Sequence, residues 1–297
     1  MKRDTAIGLS LAGAGAILFA SKGLFTKALF HSGIDFITMT ALRAVLALPM
    51  FFALGLWRGV VPRRASGKAI LLAALAGVLC YGFGSLIDFR ALELIDISLE
   101  RALLFSYPAM IVAWQAITRR VRPGRGTIAA LCLTYVGIVL VVGAFDAGLW
   151  RQNLAGSLLV LFCAMTTASY FMLGERCIPE LGSGGFTIIA MTAAAVVVCV
   201  TFLFTHSLSV IADITPRQWL LLLALSVLCM FLPTLLQAGG IRRIGAERGS
   251  LAGTIGPPAA LFMGMALLGE RPGAWQLLGT GLILCGIYFT SRGELPR

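Results

Sequence analysis

Residues 121–124 read VRPG, and residues 270–273, located 149 positions later, read ERPG. Each tetrapeptide follows an apolar run that contains a proline, Pro108 in the first case and Pro257 in the second, at the same distance from the tetrapeptide. Each is also followed by a further apolar run. Two charged turns in the same position relative to two prolines indicate an internal duplication, and this duplication determines the predicted fold.

The duplication extends well beyond the two tetrapeptides. A shift of 149 aligns residues 71–138 with residues 220–287 without a gap, and it matches Gly137 to Gly286 in addition to the prolines and the Arg-Pro-Gly residues. Matches between Leu or Val residues carry little information in an apolar chain, whereas matched Pro, Arg and Gly residues are informative. A shift of 148 matches the first apolar run of each half more weakly.

The composition is that of an integral membrane protein. Hydrophobic residues make up 59% of the chain and charged residues 12%, and the mean hydropathy is +0.92, whereas about a quarter of the residues in soluble domains are charged. An α-helix needs about 20 apolar residues to cross a bilayer. The sequence contains ten such runs, numbered here as spans 1 to 10: 6–26, 36–57, 69–90, 98–118, 127–145, 154–175, 185–205, 217–238, 249–268 and 274–291.

Each half of the sequence contains five spans, and because five is odd, the second half enters the membrane from the side opposite to the first. We therefore expect one membrane domain, residues 1–297, made of a first repeat, residues 1–148, and a second, inverted repeat, residues 149–297. Inverted repeats recur in secondary transporters, which bind substrate near the middle of the membrane between the repeats. The alternative is a static scaffold that grew by duplication.

The net charge of +11 reflects this topology. Of the 24 Lys and Arg residues, 16 lie at the termini or in the even-numbered connections between spans, and six lie in the odd-numbered connections. Because cytoplasmic loops carry the excess of Lys and Arg, both termini are predicted to be cytoplasmic. The basic residues do not form one patch, so the charge does not indicate nucleic-acid binding.

The sequence gives no sign of catalytic or metal chemistry. Its seven cysteines are dispersed without a C-x-x-C pair, which is typical of buried thiols that behave as small hydrophobic side chains. The two histidines, His31 and His206, both lie near the ends of spans, and no constellation of a nucleophile with its base is present. We therefore expect no cofactor, no metal site and no enzymatic activity.

Charges inside predicted spans are costly and indicate a functional site, and two of them, Lys22 and Arg43, stand out. Lys22 lies in the outer half of span 1, and its ammonium either binds a substrate carboxylate or reaches the outer interface by snorkelling. Arg43 lies about 10 Å from the outer end of span 2, at ~1.5 Å per residue. We expect Arg43 to form a structural or gating pair with Asp88, Asp96 or Glu100.

Span 4 provides further candidates. Glu100, Tyr107 and Trp114 are seven residues apart and share one face of a helix, and Tyr107 directly precedes Pro108 near the middle of the membrane. Proline removes a backbone hydrogen bond and kinks a helix, which membranes tolerate next to a cavity. We expect Tyr107 and Trp114 to bind substrate, Glu100 to have a structural or gating role, and Pro108 and Pro257 to act as gating kinks.

Span 9 carries glycines at the positions that correspond to the bulky residues of span 4. Gly256 corresponds to Tyr107, and Gly249 corresponds to Glu100. Close helix packing is the simpler explanation of a row of glycines. Aromatic side chains of one repeat that face glycines of the other would also leave a cavity between the repeats, so Gly256 is included among the candidate substrate-binding residues.

The remaining candidates carry hydroxyl groups or aromatic rings near the middle of the membrane. They are Tyr81 and Ser85 in span 3, and Ser169 and Tyr170 in span 6. Each of them alone is more simply explained by packing or by an interhelical hydrogen bond. Together they offer polar and aromatic groups with little charge, which suits a small, partly apolar zwitterion better than a phosphate, whose binding would require several Arg or Lys residues.

Three stretches of the sequence resemble a known family. They are ALRAVLAL at residues 41–48, LFSYPAMIVAW at residues 104–114 and LGERPGAWQLLGTGLILCGIYF at residues 268–289. Together with ten spans in two repeats, they resemble the drug/metabolite transporter superfamily, EamA type, and the chain as a whole is similar to the amino-acid exporters of the YddG type. The resemblance implies a central cavity lined by spans 1 to 4 and 6 to 9, with spans 5 and 10 outside it. The FASK sequence at residues 19–22 departs from the Trp-Gly that is usual in the family.

The sequence thus predicts a multi-pass protein of the cell inner membrane that exports aromatic or other apolar amino acids, or similar small metabolites, by alternating access. Its partners would be this small-molecule substrate and the lipid bilayer. The alternative with the same architecture is a transporter or flippase of nucleotide sugars or lipid-linked sugars, which would require a basic pocket. Facilitated diffusion and proton antiport are both compatible with the sequence, because no pair of mid-span carboxylates indicates a proton relay. The sequence does not indicate an oligomeric state.

Overall fold

The computed structural model describes residues 2–57, 65–91, 94, 103–119, 124–142, 154–268 and 274–292. These residues form helices joined by turns, and no strand occurs among them. The predicted all-α fold is therefore confirmed for the part of the chain that the structure describes. Asp96, Glu100 and most of the two Arg-Pro-Gly turns lie outside the described residues.

The described residues form thirteen α-helices and two short π-helical segments. The two π-helical segments are Val78–Phe83 and Val227–Phe231, and each lies between two α-helices that follow one another directly along the chain. In chain order the α-helices are α1 (Lys2–Ala20), α2 (Lys22–His31), α3 (Phe36–Trp57), α4 (Gly67–Gly77), α5 (Gly84–Ala91), α6 (Tyr107–Arg119), α7 (Arg125–Val142), α8 (Leu154–Thr205), α9 (Ser209–Ala212), α10 (Pro216–Ser226), α11 (Leu232–Gly253), α12 (Gly256–Leu268) and α13 (Ala274–Arg292).

Within the described residues, five helical stretches are long and apolar enough to cross a membrane. The longest, α8, has 52 residues and would extend about 78 Å as one straight helix, more than twice the ~30 Å of a bilayer core. The five stretches are Asp4–His31, Phe36–Trp57, Gly67–Ala91, Leu154–Thr205 and Pro216–Gly253. The count of ten crossings stays a prediction.

Glycine interrupts the two longest apolar stretches, Leu154–Thr205 and Pro216–Gly253, which are too long for one crossing. Gly182 divides α8 and has φ 69° and ψ 162°, and Gly245 divides α11 and has φ 78° and ψ 172°. Positive φ is readily adopted by glycine and strains residues with a Cβ atom. Both interruptions fall in segments that the sequence assigns to connections, between spans 6 and 7 and between spans 8 and 9.

The surface of the helices carries many large apolar side chains. Leu56, Trp57, Ile117 and Phe204 are each more than two-thirds exposed. An apolar surface of this kind is unfavourable in water but is compatible with contact to lipid tails, where backbone polar groups are satisfied inside the helices. The surface therefore agrees with a membrane environment.

Corresponding local features occur 149 residues apart. The π-helical segments begin at Val78 and Val227, and the positive-φ glycines Gly33 and Gly182 follow the first helical stretch of each half. A π-helical turn inserts one extra residue into a helix and is frequent at functional sites. These features are not visible in the alternation of apolar and polar residues, and they extend the sequence duplication to the backbone.

The two prolines correspond as well, but they do not kink the interior of a helix. Turn residues 105–106 precede α6, turn residues 254–255 precede α12, and Pro108 and Pro257 are each the second residue of the helix that follows. Proline is tolerated in the first turn because the N–H group it lacks has no partner within the helix there. The predicted kink in span 4 is therefore corrected to a break between residues 104 and 107, with an equivalent break in the second half.

Helices α7 and α13 pack against each other through a reciprocal contact. A Cβ atom added to Gly137 would lie 2.6 Å from the Gly279 carbonyl oxygen, and one added to Gly286 would lie 2.9 Å from the Ala130 carbonyl oxygen. Gly286 is the counterpart of Gly137, and Gly279 is the counterpart of Ala130, by the same shift of 149. The shift of 149 therefore converts one of these contacts into the other, with the two helices exchanged. A two-fold axis between the two halves produces this kind of reciprocal contact.

Segments that the sequence assigns to the same face of the membrane contact each other. The Gln218 side chain donates to the Ser32 carbonyl oxygen at 2.9 Å, which joins connection 1 to the beginning of span 8, next to connection 7. The Ser66 hydroxyl donates to a Glu180 carboxylate oxygen at 3.2 Å, which joins connections 2 and 6. Each of these two contacts joins segments that the sequence predicts on the same side of the membrane.

Candidate functional site

A cavity of about 100 Å³ lies between the helices of the two halves. A single water needs only ~10–15 Å³ of such space, so the cavity has room for a small organic molecule. Both halves of the chain contribute to its wall, which is predominantly apolar. The lining residues include Phe19, Lys22, Arg43, Cys80, Tyr81, Ser85, Asp88, Phe105, Tyr107, Thr166, Thr167, Tyr170, Phe171, Gln237, Gly253 and Gly256.

A buried ion pair lies at one end of the cavity. The Lys22 ammonium donates to a carboxylate oxygen of Asp88 at 2.8 Å, and both side chains are less than one-tenth exposed. A break in the helix at Ser21, which is a turn residue between α1 and α2, makes Lys22 the first residue of α2. Lys22 therefore does not snorkel to the interface, and Asp88 pairs with Lys22 instead of with Arg43.

Arg43 lies beside this pair and is buried, with 3% of its surface exposed. Its guanidinium donates to the Ser85 hydroxyl through Nη2 at 3.3 Å, and its Cζ lies 5.3 Å from the centre of the Phe89 ring. Its Nε has no hydrogen-bond partner among the described residues. The predicted acidic partners Asp96 and Glu100 lie outside those residues.

The polar face of the third membrane stretch follows from helical spacing. Tyr81, Ser85 and Asp88 succeed one another by four and three residues, which places them on one side of a helix. Tyr81 and Cys80 lie in the π-helical segment, and Ser85 and Asp88 lie in α5. This stretch therefore presents a phenol, a hydroxyl and a carboxylate to the cavity.

Aromatic rings form the rest of the wall. The Tyr81 and Tyr170 rings meet edge to face with their centres 5.2 Å apart. The Tyr107 ring stacks on Phe171 with the centres 5.4 Å apart, and its hydroxyl donates to the Ser250 carbonyl oxygen at 3.3 Å. Such pairs bury large apolar surfaces in a defined geometry, so this part of the cavity suits an apolar group.

Glycines of the second half face aromatic side chains of the first. A Cβ atom added to Gly253 would lie 2.5 Å from the Tyr107 hydroxyl oxygen, and one added to Gly256 would lie 2.9 Å from Cζ of Phe105. The sequence predicts aromatic residues of span 4 against glycines of span 9. The contact with Tyr107 is made by Gly253, three residues before its sequence counterpart Gly256.

The structure brings eight of the predicted site residues to the cavity: Lys22, Arg43, Tyr81, Ser85, Asp88, Tyr107, Tyr170 and Gly256. Pro108 and Pro257 directly follow two of them along the chain. Sequence reasoning missed Phe105 and Phe171, because an aromatic residue in an apolar span is equally typical of lipid contact or core packing. Gly253, which lies between Gly249 and Gly256 in span 9, was not among the predicted site residues.

Two predicted substrate-binding residues are not brought to the cavity. Trp114 lies about two turns beyond Tyr107 along α6, roughly 10 Å further at ~1.5 Å per residue, and its side chain is 49% exposed. The Ser169 hydroxyl donates to the Met165 carbonyl oxygen of its own helix, because Thr166 and Tyr170 occupy the face of α8 that lines the cavity. We therefore leave Trp114 and Ser169 out of the site.

The described residues contain no group of three or more His, Cys, Asp or Glu side chains arranged to hold a metal ion. The described lining of the cavity carries several kinds of side chain. It offers one buried ion pair, one further guanidinium, several hydroxyl groups and a set of aromatic faces. These groups are suited to a small molecule that carries both charge and an apolar part.

Comparisons with known proteins agree with this architecture. A model of the EamA-like transporter family matches residues 6–143 and again residues 154–292. An uncharacterized transporter of Bacillus subtilis (strain 168), YcbK, is 28% identical over 298 residues, which cover 98% of this chain and 93% of that protein. A protein of known crystal structure superposes with a TM-score of 0.79 at 18% identity over 95% of each chain, and shares the fold. The chain belongs to the EamA-like transporter family, and it is a multi-pass membrane protein that transports small molecules.

Proposed function

We propose that this protein exports aromatic or other apolar amino acids, or similar small metabolites, across the cell inner membrane by alternating access. The observation that carries the proposal is the cavity, which joins a charged end containing Lys22, Asp88 and Arg43 to a wall of aromatic rings. An amino acid has the matching combination of charged groups and an apolar side chain.

The aromatic wall would supply most of the affinity for an apolar side chain. Transfer of apolar surface from water into such a wall is favourable by about 25 cal/mol per Å². The charged end would fix the orientation of the amino acid, since buried charges are stable only when they are paired or hydrogen-bonded. Selectivity among amino acids would then follow from how well the side chain fits against Tyr81, Tyr107 and Tyr170.

Alternating access requires the two halves to move against each other around the cavity. We propose that residues 1–148 and 149–297 form these halves, each with five crossings and with both termini in the cytoplasm. The breaks before α6 and α12 lie against each other through the Phe105–Gly256 and Tyr107–Gly253 contacts. Breaks of this kind absorb changes in backbone angle, so Pro108 and Pro257 would mark the hinges.

The alternative substrate class, nucleotide sugars and lipid-linked sugars, fits the cavity less well. A diphosphate carries at least two negative charges and is usually bound by several Arg or Lys side chains. The described lining residues include two cations, Lys22 and Arg43, and Asp88 neutralises one of them. The charge balance therefore supports a ligand with a single carboxylate.

Thermal unfolding of the purified protein with a panel of metabolites tests the substrate class. Ligands that bind the folded protein alone raise its unfolding temperature, and a ligand at 100 times its Kd stabilises by about 2.7 kcal/mol. We expect stabilisation by phenylalanine, tryptophan and leucine and none by UDP-glucose. Stabilisation by UDP-glucose without any by the amino acids would overturn the proposal.

Amino-acid flux into proteoliposomes, measured with and without an imposed pH gradient, distinguishes proton antiport from facilitated diffusion.

A further inference from the structure

The charged end of the cavity contains two cations that differ in how well their hydrogen-bonding groups are satisfied. Lys22 donates to Asp88 at 2.8 Å, and its ammonium also lies 5.0 Å from the centre of the Phe89 ring. Its charge is therefore balanced within the protein. An incoming carboxylate would have to compete with Asp88 for Lys22.

The hydrogen-bonding groups of Arg43 are less fully satisfied than those of Lys22. Among the described residues, Arg43 donates a side-chain hydrogen bond to the Ser85 hydroxyl, and this bond is long at 3.3 Å. The Nε atom of Arg43 has no hydrogen-bond partner among these residues. A guanidinium has five N–H donors and stays charged in proteins. Asp88 acts on Arg43 electrostatically, but among the described residues it is Lys22 that is bonded to this carboxylate. A buried cation without an anion bonded to it is unfavourable, and Arg43 is buried and lines the cavity.

The surroundings of Arg43 suit a carboxylate. The planar guanidinium can donate two parallel hydrogen bonds to the two oxygens of a carboxylate, and stacking of its Cζ over Phe89 at 5.3 Å restricts its orientation. The Ser85 hydroxyl is a third donor on the same side. One guanidinium with one hydroxyl matches the charge of a single carboxylate.

We propose that Arg43, together with Ser85, binds the carboxylate of the transported molecule, while Lys22 stays paired with Asp88. The inference rests on the proposed function, since it assigns a part of the amino acid to a part of the same cavity. It reverses the roles that the sequence suggests, in which Lys22 meets the substrate and Arg43 is structural. The geometry of the Lys22–Asp88 pair and the unpartnered Nε of Arg43 are the reasons for the reversal.

The experiment measures how strongly binding depends on the carboxylate. Dissociation constants for phenylalanine, phenylalaninamide and 3-phenylpropionate are determined by thermal stabilisation of the wild-type protein and of three variants. Arg43→Gln removes the guanidinium, Ser85→Ala removes the hydroxyl, and the double variant Lys22→Gln with Asp88→Asn removes the neighbouring pair without a change in net charge. Each variant is first checked for a cooperative unfolding transition.

We expect the wild-type protein to prefer phenylalanine over phenylalaninamide by roughly 10- to 100-fold, which corresponds to hydrogen bonds made to a charged group. In Arg43→Gln the preference should fall to near one, in Ser85→Ala it should fall by a smaller factor, and in the double variant it should persist. If Arg43→Gln does not give a folded protein, the other two variants decide the question. A smaller preference for phenylalanine in Ser85→Ala than in the double variant would support the inference, and the reverse would contradict it. A structural role for Arg43 would lower the unfolding temperature but leave the preference unchanged.

Two results would overturn the inference: a preference that survives in Arg43→Gln, or one that disappears in the double variant and not in Arg43→Gln. Arg43-dependent binding of 3-phenylpropionate without binding of any amino acid would support the inference and contradict the proposed function. Binding of phenylalanine and phenylalaninamide with equal affinity would contradict the inference and leave the amino-acid proposal standing. Absence of binding by every carboxylate would contradict both.

Discussion

At the scale of single residues, the buried pair of Lys22 and Asp88 makes a direct prediction about stability. Removing one member leaves the other charge buried without its partner, which costs about 3–5 kcal/mol, whereas removing both together is far less unfavourable. We expect Lys22→Gln and Asp88→Asn each to lower the unfolding temperature, and the double variant to recover part of the loss. Thermal unfolding in detergent measures this. Single variants as stable as the wild type would show that the pair is not closed in solution.

The contact between Tyr107 and Gly253 allows a second test at this scale. The methyl group of Gly253→Ala would lie 2.5 Å from the Tyr107 hydroxyl oxygen, so we expect a loss of about 1–3 kcal/mol from overpacking. Tyr107→Phe removes that oxygen and the hydrogen bond to Ser250, at about 0.5–1.5 kcal/mol. The double variant should be more stable than the sum of the single effects predicts. Additive effects would mean that residue 253 does not contact the Tyr107 hydroxyl.

At this scale the sequence identifies the charged residues that line the cavity more readily than it identifies the residues they contact. Lys22 and Arg43 are conspicuous because each places a charge inside an apolar run. Their partners depend on how separate helices pack, and on the break at Ser21 that precedes Lys22. Trp114 shares a helical face with Tyr107 but does not line the cavity, because a helical face extends further along the membrane than the cavity does.

At the scale of helices, the contact between α7 and α13 predicts equal effects at two positions that are 149 residues apart. Gly137→Ala and Gly286→Ala would each bring a methyl group within 3 Å of a backbone carbonyl oxygen of the other helix, and backbone cannot move aside as a side chain can. We expect each to destabilise the protein by about 1–3 kcal/mol. The measurement is again the unfolding temperature.

Gly281→Ala is the matched control for this prediction. Gly281 lies in α13 as Gly286 does, but its Cβ would meet nothing within 4 Å. Replacement of an exposed helical glycine by alanine favours the helix by about 0.5–1 kcal/mol. An unfolding temperature that falls as much in Gly281→Ala as in Gly286→Ala would contradict the reciprocal contact, because the effect would then come from the helix and not from its partner.

Helices were predictable wherever apolar runs end at charged or glycine-rich segments, as between spans 6 and 7 at Gly182. The π-helical segments were not predictable, because one extra residue in a turn leaves the apolar run unchanged. The two prolines illustrate both cases. Their equivalence was visible in the sequence, but whether Pro108 kinks a helix or begins one depends on the hydrogen bonds of residues 103–106, which the sequence pattern does not specify.

At the scale of the whole molecule, the inverted arrangement predicts that two equivalent turns face opposite sides of the membrane. Gly124 and Gly273 end the VRPG and ERPG turns. In a variant without the seven native cysteines, Gly124→Cys should react with a membrane-impermeant maleimide only from the cytoplasmic side, and Gly273→Cys only from outside. The excess of Lys and Arg around the first turn is the physical reason for this orientation. Labelling of both cysteines from one side would disprove the inversion.

The central claim is that the cavity between the two halves carries an amino acid across the membrane. Counterflow of radiolabelled phenylalanine into proteoliposomes loaded with unlabelled phenylalanine tests it most directly. The comparison uses the wild-type protein, Gly256→Phe, which places a ring in the cavity, and Gly281→Phe, which places the same ring on an exposed glycine. The proposal predicts accumulation of label with the wild type and with Gly281→Phe, and none with a folded Gly256→Phe variant. Equal accumulation with all three proteins, or none with the wild type, would contradict it.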